Sequence, residues 1–278
     1  MKPTPRLPLI VGYVASHAER ARLTGALRGW ARAQWAESLA EVVAAVRRAK
    51  GAAITVILAP RDGDGHSAAP IVRELRRIAP SAAVVAHCHT GLANAAGIRQ
   101  MAEAGVHEFL FVGVDDSRVA LRSVVAAAQR ACAADAVLDA LLPVLPAAIR
   151  PVAEYCVTHA AEARSVDSVA SALGVHRKTL RNRCVAGGSP SPARLIAWCR
   201  LMLAAQLLSS TGQTVEWVAL EMEYPSDKAL RNAMKRYTAL RASEVRRQGG
   251  LRCVLDLFVQ RLRPAPRAAQ SRAALPAL

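Results

Sequence analysis

Aromatic side chains make up only 4% of this 278-residue chain, and its 21 acidic residues are outnumbered by 37 basic ones. No apolar run, that from Ala52 to Pro60 included, approaches the ~20 residues of a membrane-spanning helix. The polar start Met1-Lys-Pro-Thr-Pro-Arg lacks the apolar stretch of a signal peptide. Six cysteines, at 88, 132, 156, 184, 199 and 253, form no C-x-x-C, which argues against a zinc ribbon or a thioredoxin-like redox pair and leaves reduced, buried thiols. Glycine and proline, 16 and 15 residues, are too few for a fibrous chain, and 53% hydrophobic content excludes disorder over most of the length. A cytosolic (cytoplasmic) protein with no membrane partner is expected.

Lysine is scarce among the basic residues, 5 against 32 Arg, in a net charge of +16 and a pI near 10.7. Such an excess attracts polyanions, nucleic acid or an acidic membrane face. Arg-for-Lys usage beside abundant Ala is also what a GC-rich genome produces, so charge alone does not decide between them.

At roughly 100 to 200 residues per domain the length favours two modest domains. In the first half short apolar runs and amphipathic runs take turns. Leu7 to Val14 reads as a buried strand, followed by a helix from about His17 to Arg28. Leu39, Val42, Val43 and Val46 fall at i, i+3, i+4, i+7, the spacing of an amphipathic helix. Ala53 to Ala59 is a β-branched strand stopped by Pro60, followed by a helix over 69–79, a strand from Ala82 to Cys88, a helix over 92–104, the strand from Glu108 to Val112 and a helix from Ser117 to about Ala131. Five strand-helix units within about 125 residues, the second with a helix but no strand residues of its own assigned, imply a parallel sheet covered on both faces.

That order and size resemble the receiver domain of two-component response regulators, a flavodoxin-like α/β fold, over residues 7–131. The resemblance implies a phosphorylation site at the carboxyl ends of the strands, but the residues it needs are missing. Gly12-Tyr-Val-Ala-Ser stands in place of the acidic pair after the first strand, Ala59-Pro60 in place of the phosphoacceptor Asp, and Val112-Gly-Val has no Lys. Only Thr90 matches. No phosphoacceptor is therefore expected. Asp62-Gly-Asp-Gly lacks the twelve-residue spacing and closing Glu of a calcium loop and reads as a turn. His87-Cys-His89 places two imidazoles on one side of a strand, a structural pair for want of a third ligand. With no nucleophile and base in supporting context and no phosphate-binding glycine loop, no enzyme, cofactor or metal is expected.

Residues 132–146, Ala-rich with Pro143 and Pro146, read as a linker, and 147–250 as all helix. Two stretches there share a plan of helix, tight turn and basic helix. The first is Ser165 to Val175 followed by Arg177-Lys-Thr-Leu-Arg-Asn-Arg-Cys; the second is Thr214 to Met222 followed by Pro225-Ser-Asp-Lys-Ala-Leu-Arg-Asn-Ala-Met-Lys-Arg-Tyr. This is the helix-turn-helix plan, whose second helix enters the DNA major groove. Leu180, Cys184, Leu230 and Met234 can face the core, while Lys178, Arg181 and Asn182, and Lys228, Arg231, Asn232 and Lys235, face outward. Arg pairs bidentately with guanine and Asn with adenine.

Val169-Ala-x-x-Leu-Gly-Val-His-Arg-Lys-Thr-Leu-Arg-Asn-Arg, the helix from Ser191 to Leu208 with its Arg-Leu…Ala…Leu-Leu pattern, and Val215 to Thr238 together resemble the C-terminal DNA-binding domain of AraC-family transcription regulators. The resemblance implies double-stranded DNA as partner and recognition positions at Lys178, Arg181, Asn182, Asp227, Lys228 and Asn232. Two departures stand out. Glu223 occupies the second turn where the family has Gly, a site of positive φ that Glu resists, and Ala239 replaces a further Gly. The second unit is accordingly expected to be distorted or less selective.

From 164 to 252 there are 15 basic and 6 acidic residues, against 17 and 10 over 1–130, so per residue the second half is the more basic. Residues 251–278 are expected to be a partly disordered tail. The expectation is a transcription regulator with a non-phosphorylatable receiver-like domain that senses a signalling protein or small-molecule effector or forms a homodimer. The competing expectation is a protein–protein adaptor whose helix-turn-helix half no longer reads DNA. An amidase-like α/β half is disfavoured because Cys88 lies inside a strand.

Overall fold

The computed structural model describes residues 7–49, 54–91, 94–163 and 165–262. Five strands, β1 (Leu9–Tyr13), β2 (Arg32–Trp35), β3 (Ile54–Leu58), β4 (Ala83–His89) and β5 (Glu108–Val112), form a wholly parallel sheet in the order β2-β1-β3-β4-β5. All five residues of the central β3 are buried, which is why its sequence is a continuous apolar run and not an alternating one. β2 has no such run. It is an edge strand, Arg-Ala-Gln-Trp, with Arg32 and Gln34 exposed, so only period-two alternation marks it.

The crossover helices are α1 (His17–Leu27), α2 (Leu39–Arg48), α3 (Ala69–Ile78), α4 (Ala95–Ala104) and α5 (Arg118–Leu141). Ser16, Ser38 and Ser117 cap α1, α2 and α5 by accepting hydrogen bonds from backbone N–H groups three residues on. Leu23 and Leu27 of α1 and Leu121 and Val125 of α5 pack on Ile10, Ile57 and Val85. On the opposite face Val42, Val46, Leu75 and Met101, from α2, α3 and α4, pack on Val11, Val56 and Val84. In sheets of this order the carboxyl ends at the β1/β3 switch point form the ligand crevice.

α5 departs from the sequence expectation. The helix expected to stop near Ala131 runs 24 residues to Leu141, because Ala-rich sequence favours helix and the first breaker is Pro143. Its first half belongs to the sheet's core and its second half, through Ala133, Ala134, Val137 and Leu141, to the core of the helical half. Residues 132–141 of the expected linker are thus structural, and only two short 3-10 turns, 142–144 and 147–149, complete the connection.

Eight helices follow: α6 (Arg150–Thr158), α7 (Val166–Ala172), α8 (Arg177–Ala186), α9 (Pro192–Ser210), α10 (Val215–Glu221), α11 (Asp227–Thr238), α12 (Ala242–Arg247) and α13 (Leu251–Val259). α9 is the axle of this half. Thirteen of its 19 residues are buried, and Trp198 packs edge to face on Tyr237 and tilted against Phe258, ring centroids 5.4 and 5.7 Å away. α13 occupies the start of the expected tail and inserts Leu251, Val254 and Phe258 into the core; residues 263–278 of that expectation lie outside the described residues. Among the described residues no helix is long and apolar enough to cross a membrane. All six cysteines are free thiols, five of them buried.

Candidate nucleic-acid interface

Two helix-turn-helix units flank α9. In the first, Ser165 and Ser168 exchange side-chain-to-backbone hydrogen bonds of 3.1 and 3.2 Å that start α7. Gly174 stops it at φ 62°, and the N–H of Val175 reaches back to the carbonyl of Ala170 at 2.9 Å. His176 opens α8 by accepting the N–H of Lys178 on Nδ1, 3.2 Å. Leu180 and Cys184 are buried, while Lys178, Arg181 and Asn182 are exposed.

The second unit repeats these joints. Thr214 caps α10. Glu223 takes φ 50°, and the N–H of Tyr224 reaches the carbonyl of Ala219 at 2.8 Å. Ser226 caps α11 through the N–H of Ala229, 3.1 Å, with Leu230 and Met234 buried and Lys228, Arg231, Asn232 and Lys235 exposed. The distortion expected from Glu223 is not seen: α11 is capped and seated like α8. The two caps are 50 residues apart and the two positive-φ residues 49 (226 − 176 and 223 − 174). The second turn therefore has one extra residue.

What holds Glu223 in a left-handed conformation is Arg200, the Arg of the Arg-Leu…Ala…Leu-Leu pattern, to which the sequence assigned no such role. Arg200 of α9 is 8% exposed and donates to the carbonyls of Ala160 (2.5 Å) and Met222 (2.7 Å), with its guanidinium 4.9 Å from the centre of the Tyr224 ring. Packing on both sides of position 223 thus over-determines the turn, the condition under which strain persists. Ala239 ends α11 with φ 62°. A left-handed non-glycine residue costs about 1–2 kcal/mol. Glu223→Gly and Ala239→Gly should each raise stability by about 1 kcal/mol in urea melts, offset partly by unfolded-chain entropy; a loss of stability from both would show that neither turn is strained.

Aligned on their caps, α8 and α11 present the same set. Lys178 corresponds to Lys228, Arg181 to Arg231 and Asn182 to Asn232, each pair 50 apart. The first helical residue differs. Arg177 pairs with Asp167 of α7 at 3.0 Å, whereas Asp227, half-buried, holds Arg231 at 2.9 Å. Arg231 is thus tethered by a neighbour on its own helix. A further ion pair joins the two halves of the molecule, Arg130 of α5 to Glu221 at the end of α10.

At the other end of the molecule the carboxyl edge of the sheet holds Val14, Ala15 and Ser16 beyond β1, Ala59 and Pro60 beyond β3, and Gly113 and Val114 beyond β5. The Asp62 segment is a turn, as expected: Asp62 Oδ1 accepts the N–H groups of Asp64 (3.1 Å) and His66 (2.8 Å).

Residues 169–248 match a family model described as a helix-turn-helix domain. No curated protein matches the chain. Among solved structures, full-length FixJ from B. japonicum is similar with 14% identity and a TM-score of 0.41, over 73% of this chain and 98% of that one. An adenylate cyclase from Rhodopirellula baltica shares 14% identity with a TM-score of 0.41, over 49% and 98%. The response regulator StyR shares 18% with a TM-score of 0.32, over 68% and 96%.

Proposed function

We propose, from a helix-turn-helix domain of the AraC type at residues 169–248, that this chain is a DNA-binding transcription regulator whose helices α8 and α11 each read one major groove of double-stranded DNA. The observation that carries this reading is the duplicated outward set of Lys, Arg and Asn on two helices capped and seated alike. Solvated faces need no such repetition. Because Arg reads guanine and Asn reads adenine, the two half-sites should share base content at the positions read by the paired residues. Lys235 stands where α8 has Val185 and adds a phosphate contact to the second unit alone. Asp227 would restrain Arg231 and is suited to accept from cytosine N4.

Replacing Arg181 or Asn182 by Ala should cost about 1–3 kcal/mol on the specific site and relax preference at one base position. Asp227→Ala should release Arg231 and tighten binding to non-specific sequences, while losing the preference for cytosine at the position Asp227 reads. These are measured by gel shift over a panel of single-base operator variants. Equal weakening on every sequence from Arg181→Ala and Asn182→Ala would reduce both residues to phosphate contacts and end the claim of base readout.

In this reading the α/β half works without aspartyl phosphorylation, since Ala59 and Pro60 follow β3 where an acceptor would stand. Its input is then a protein contact, a small-molecule effector or pairing with a second copy, and its place of action is the cytoplasm, with the DNA. The adaptor reading needs Glu223 to unseat α11; the Arg200 anchor and the Ser226 cap favour the DNA reading over it.

A further inference from the structure

Between the C-terminal ends of α8, α11 and α13 and the start of α9 lies a cavity of about 860 Å³, within the ~300–1,000 Å³ of small-molecule sites. Three arginines line it, Arg194 of α9, Arg236 of α11 and Arg261 just beyond α13. No Asp or Glu does. Elsewhere the arginines find acids, as Arg47 finds Glu74, Arg76 Asp135 and Arg177 Asp167, but among the described residues no carboxylate pairs with any of these three. The sequence that follows, 263–278, adds Arg263, Arg267 and Arg272 and no acid. Like charges gathered without a counter-charge repel one another and destabilise the compact state; an anion in the cavity removes that cost.

Two of the three guanidiniums are already held. That of Arg261 stands 5.1 Å from the centre of the buried Trp198 ring and donates from Nη1 to the Leu257 carbonyl at 2.9 Å. That of Arg236 stands 6.0 Å from the centre of the Tyr237 ring. Groups held in this way lose less freedom when a ligand arrives, and the fork of a guanidinium matches the oxygens of a phosphate two at a time. The remaining wall is of another kind. Val185, Pro190, Tyr237 and Leu262 offer apolar and aromatic surface to an organic body. The cavity also stands apart from the face assigned to bases. Helix-turn-helix units present the N-terminal residues of the second helix to DNA, here 178–182 and 228–232, whereas the cavity begins at Val185 and Arg236, about a turn further on.

We propose that this cavity binds a small phosphate ester built on a planar ring, a nucleotide by class, with the phosphate on Arg194, Arg236 and Arg261 and the ring against Tyr237 and Pro190. Three cations favour a doubly charged phosphate over a singly charged carboxylate. Planar rings stack on guanidinium and phenol faces alike, and the amide of Gln260, also in the wall, can both donate to and accept from the edge of a heterocycle. The site belongs to the helical half, so it is independent of whatever the α/β half senses.

The test is isothermal titration of the full chain, without DNA, using AMP and phenyl phosphate. At least one of them should saturate at one equivalent per chain, while adenosine and inorganic phosphate, the two parts of AMP alone, should each bind about tenfold more weakly or worse. Arg194→Gln, Arg236→Gln and Arg261→Gln should each weaken the ester about tenfold or more, the effect of losing a charged hydrogen bond, with thermal melts to show that each variant is folded. Arg252→Gln removes the same charge from an exposed position of α13 outside the cavity and should bind as the parent does. Failure of both esters to saturate, inorganic phosphate binding as tightly as AMP, or an equal loss in Arg252→Gln would overturn the site. Loss of DNA affinity in the three arginine variants without any ester binding would overturn it too and assign the cavity to the DNA backbone. Since the titration contains no DNA, its failure and failure of the DNA reading are separate outcomes.

Discussion

Insertion of five base pairs between the two half-sites should drop the affinity of this protein for its operator to the salt-sensitive, sequence-independent level. That loss is about a thousandfold or more. The expectation follows from α9. It is 19 residues long, about 28 Å at 1.5 Å per residue, and Leu195, Trp198, Leu201, Met202 and Leu208 lock it into one core with both reading units. Such a spacer can neither stretch nor twist. Two grooves on one DNA face recur every ~34 Å, or about 10 base pairs, and five extra base pairs turn one groove to the far side. Ten extra base pairs restore the face but add another ~34 Å, so that operator should fail as well. Quantitative footprinting on the three operators, at two salt concentrations, measures this. Undiminished binding to the five-base-pair variant would mean that one unit reads DNA alone, and α8, whose Arg181 has no Asp at the first helical position to hold it, would be that unit.

Arg200→Met should destabilise the helical half by about 3 kcal/mol or more. Hydrogen bonds from a charged donor contribute about 1.5–3 kcal/mol each, and Arg200 makes two, to Ala160 and Met222. Methionine of similar length leaves both carbonyls buried and unpaired and removes the guanidinium from the Tyr224 face, a further ~0.5–2 kcal/mol. The loss should concentrate on the second unit, because the Met222 carbonyl lies at the turn that carries Glu223. Combining Arg200→Met with Glu223→Gly should return part of the stability, since glycine no longer needs the turn to be forced. Urea unfolding of the four proteins in the cycle gives the coupling. A cost below about 1 kcal/mol for Arg200→Met, or strict additivity, would remove Arg200 from this role.

The sequence made the periodic parts legible. Val42, Val46 and the Ile54–Leu58 run declare their elements because burial alone sets their spacing, and Leu180, Cys184, Leu230 and Met234 declare the inner faces of the two reading helices for the same reason. β2 stayed hidden because an edge strand buries too little to need an apolar run. The extent of α5 is not legible because alanine is at home equally in a connector and in a helix squeezed between two cores. Glu223 misled in another way: its intrinsic dislike of positive φ is real, but the residue that overrides it, Arg200, is 23 positions away and joins it only through the fold. The same holds for Arg194, Arg236 and Arg261, which the sequence keeps far apart and the helical half gathers on one cavity.

A helix that is common property of two cores is also a lever. From Val125, seated on the sheet, to Leu141, seated among the helices, α5 extends about 24 Å at 1.5 Å per residue. A tilt of only about 10° at the sheet end would carry the far end roughly 4 Å, more than the 1–2 Å helix displacements with which many proteins signal. Nearer the sheet than the far end, Arg130 of the same helix pairs with Glu221 at the foot of the second reading unit. A shift on the sheet would thus arrive in the helical core enlarged by the length of α5.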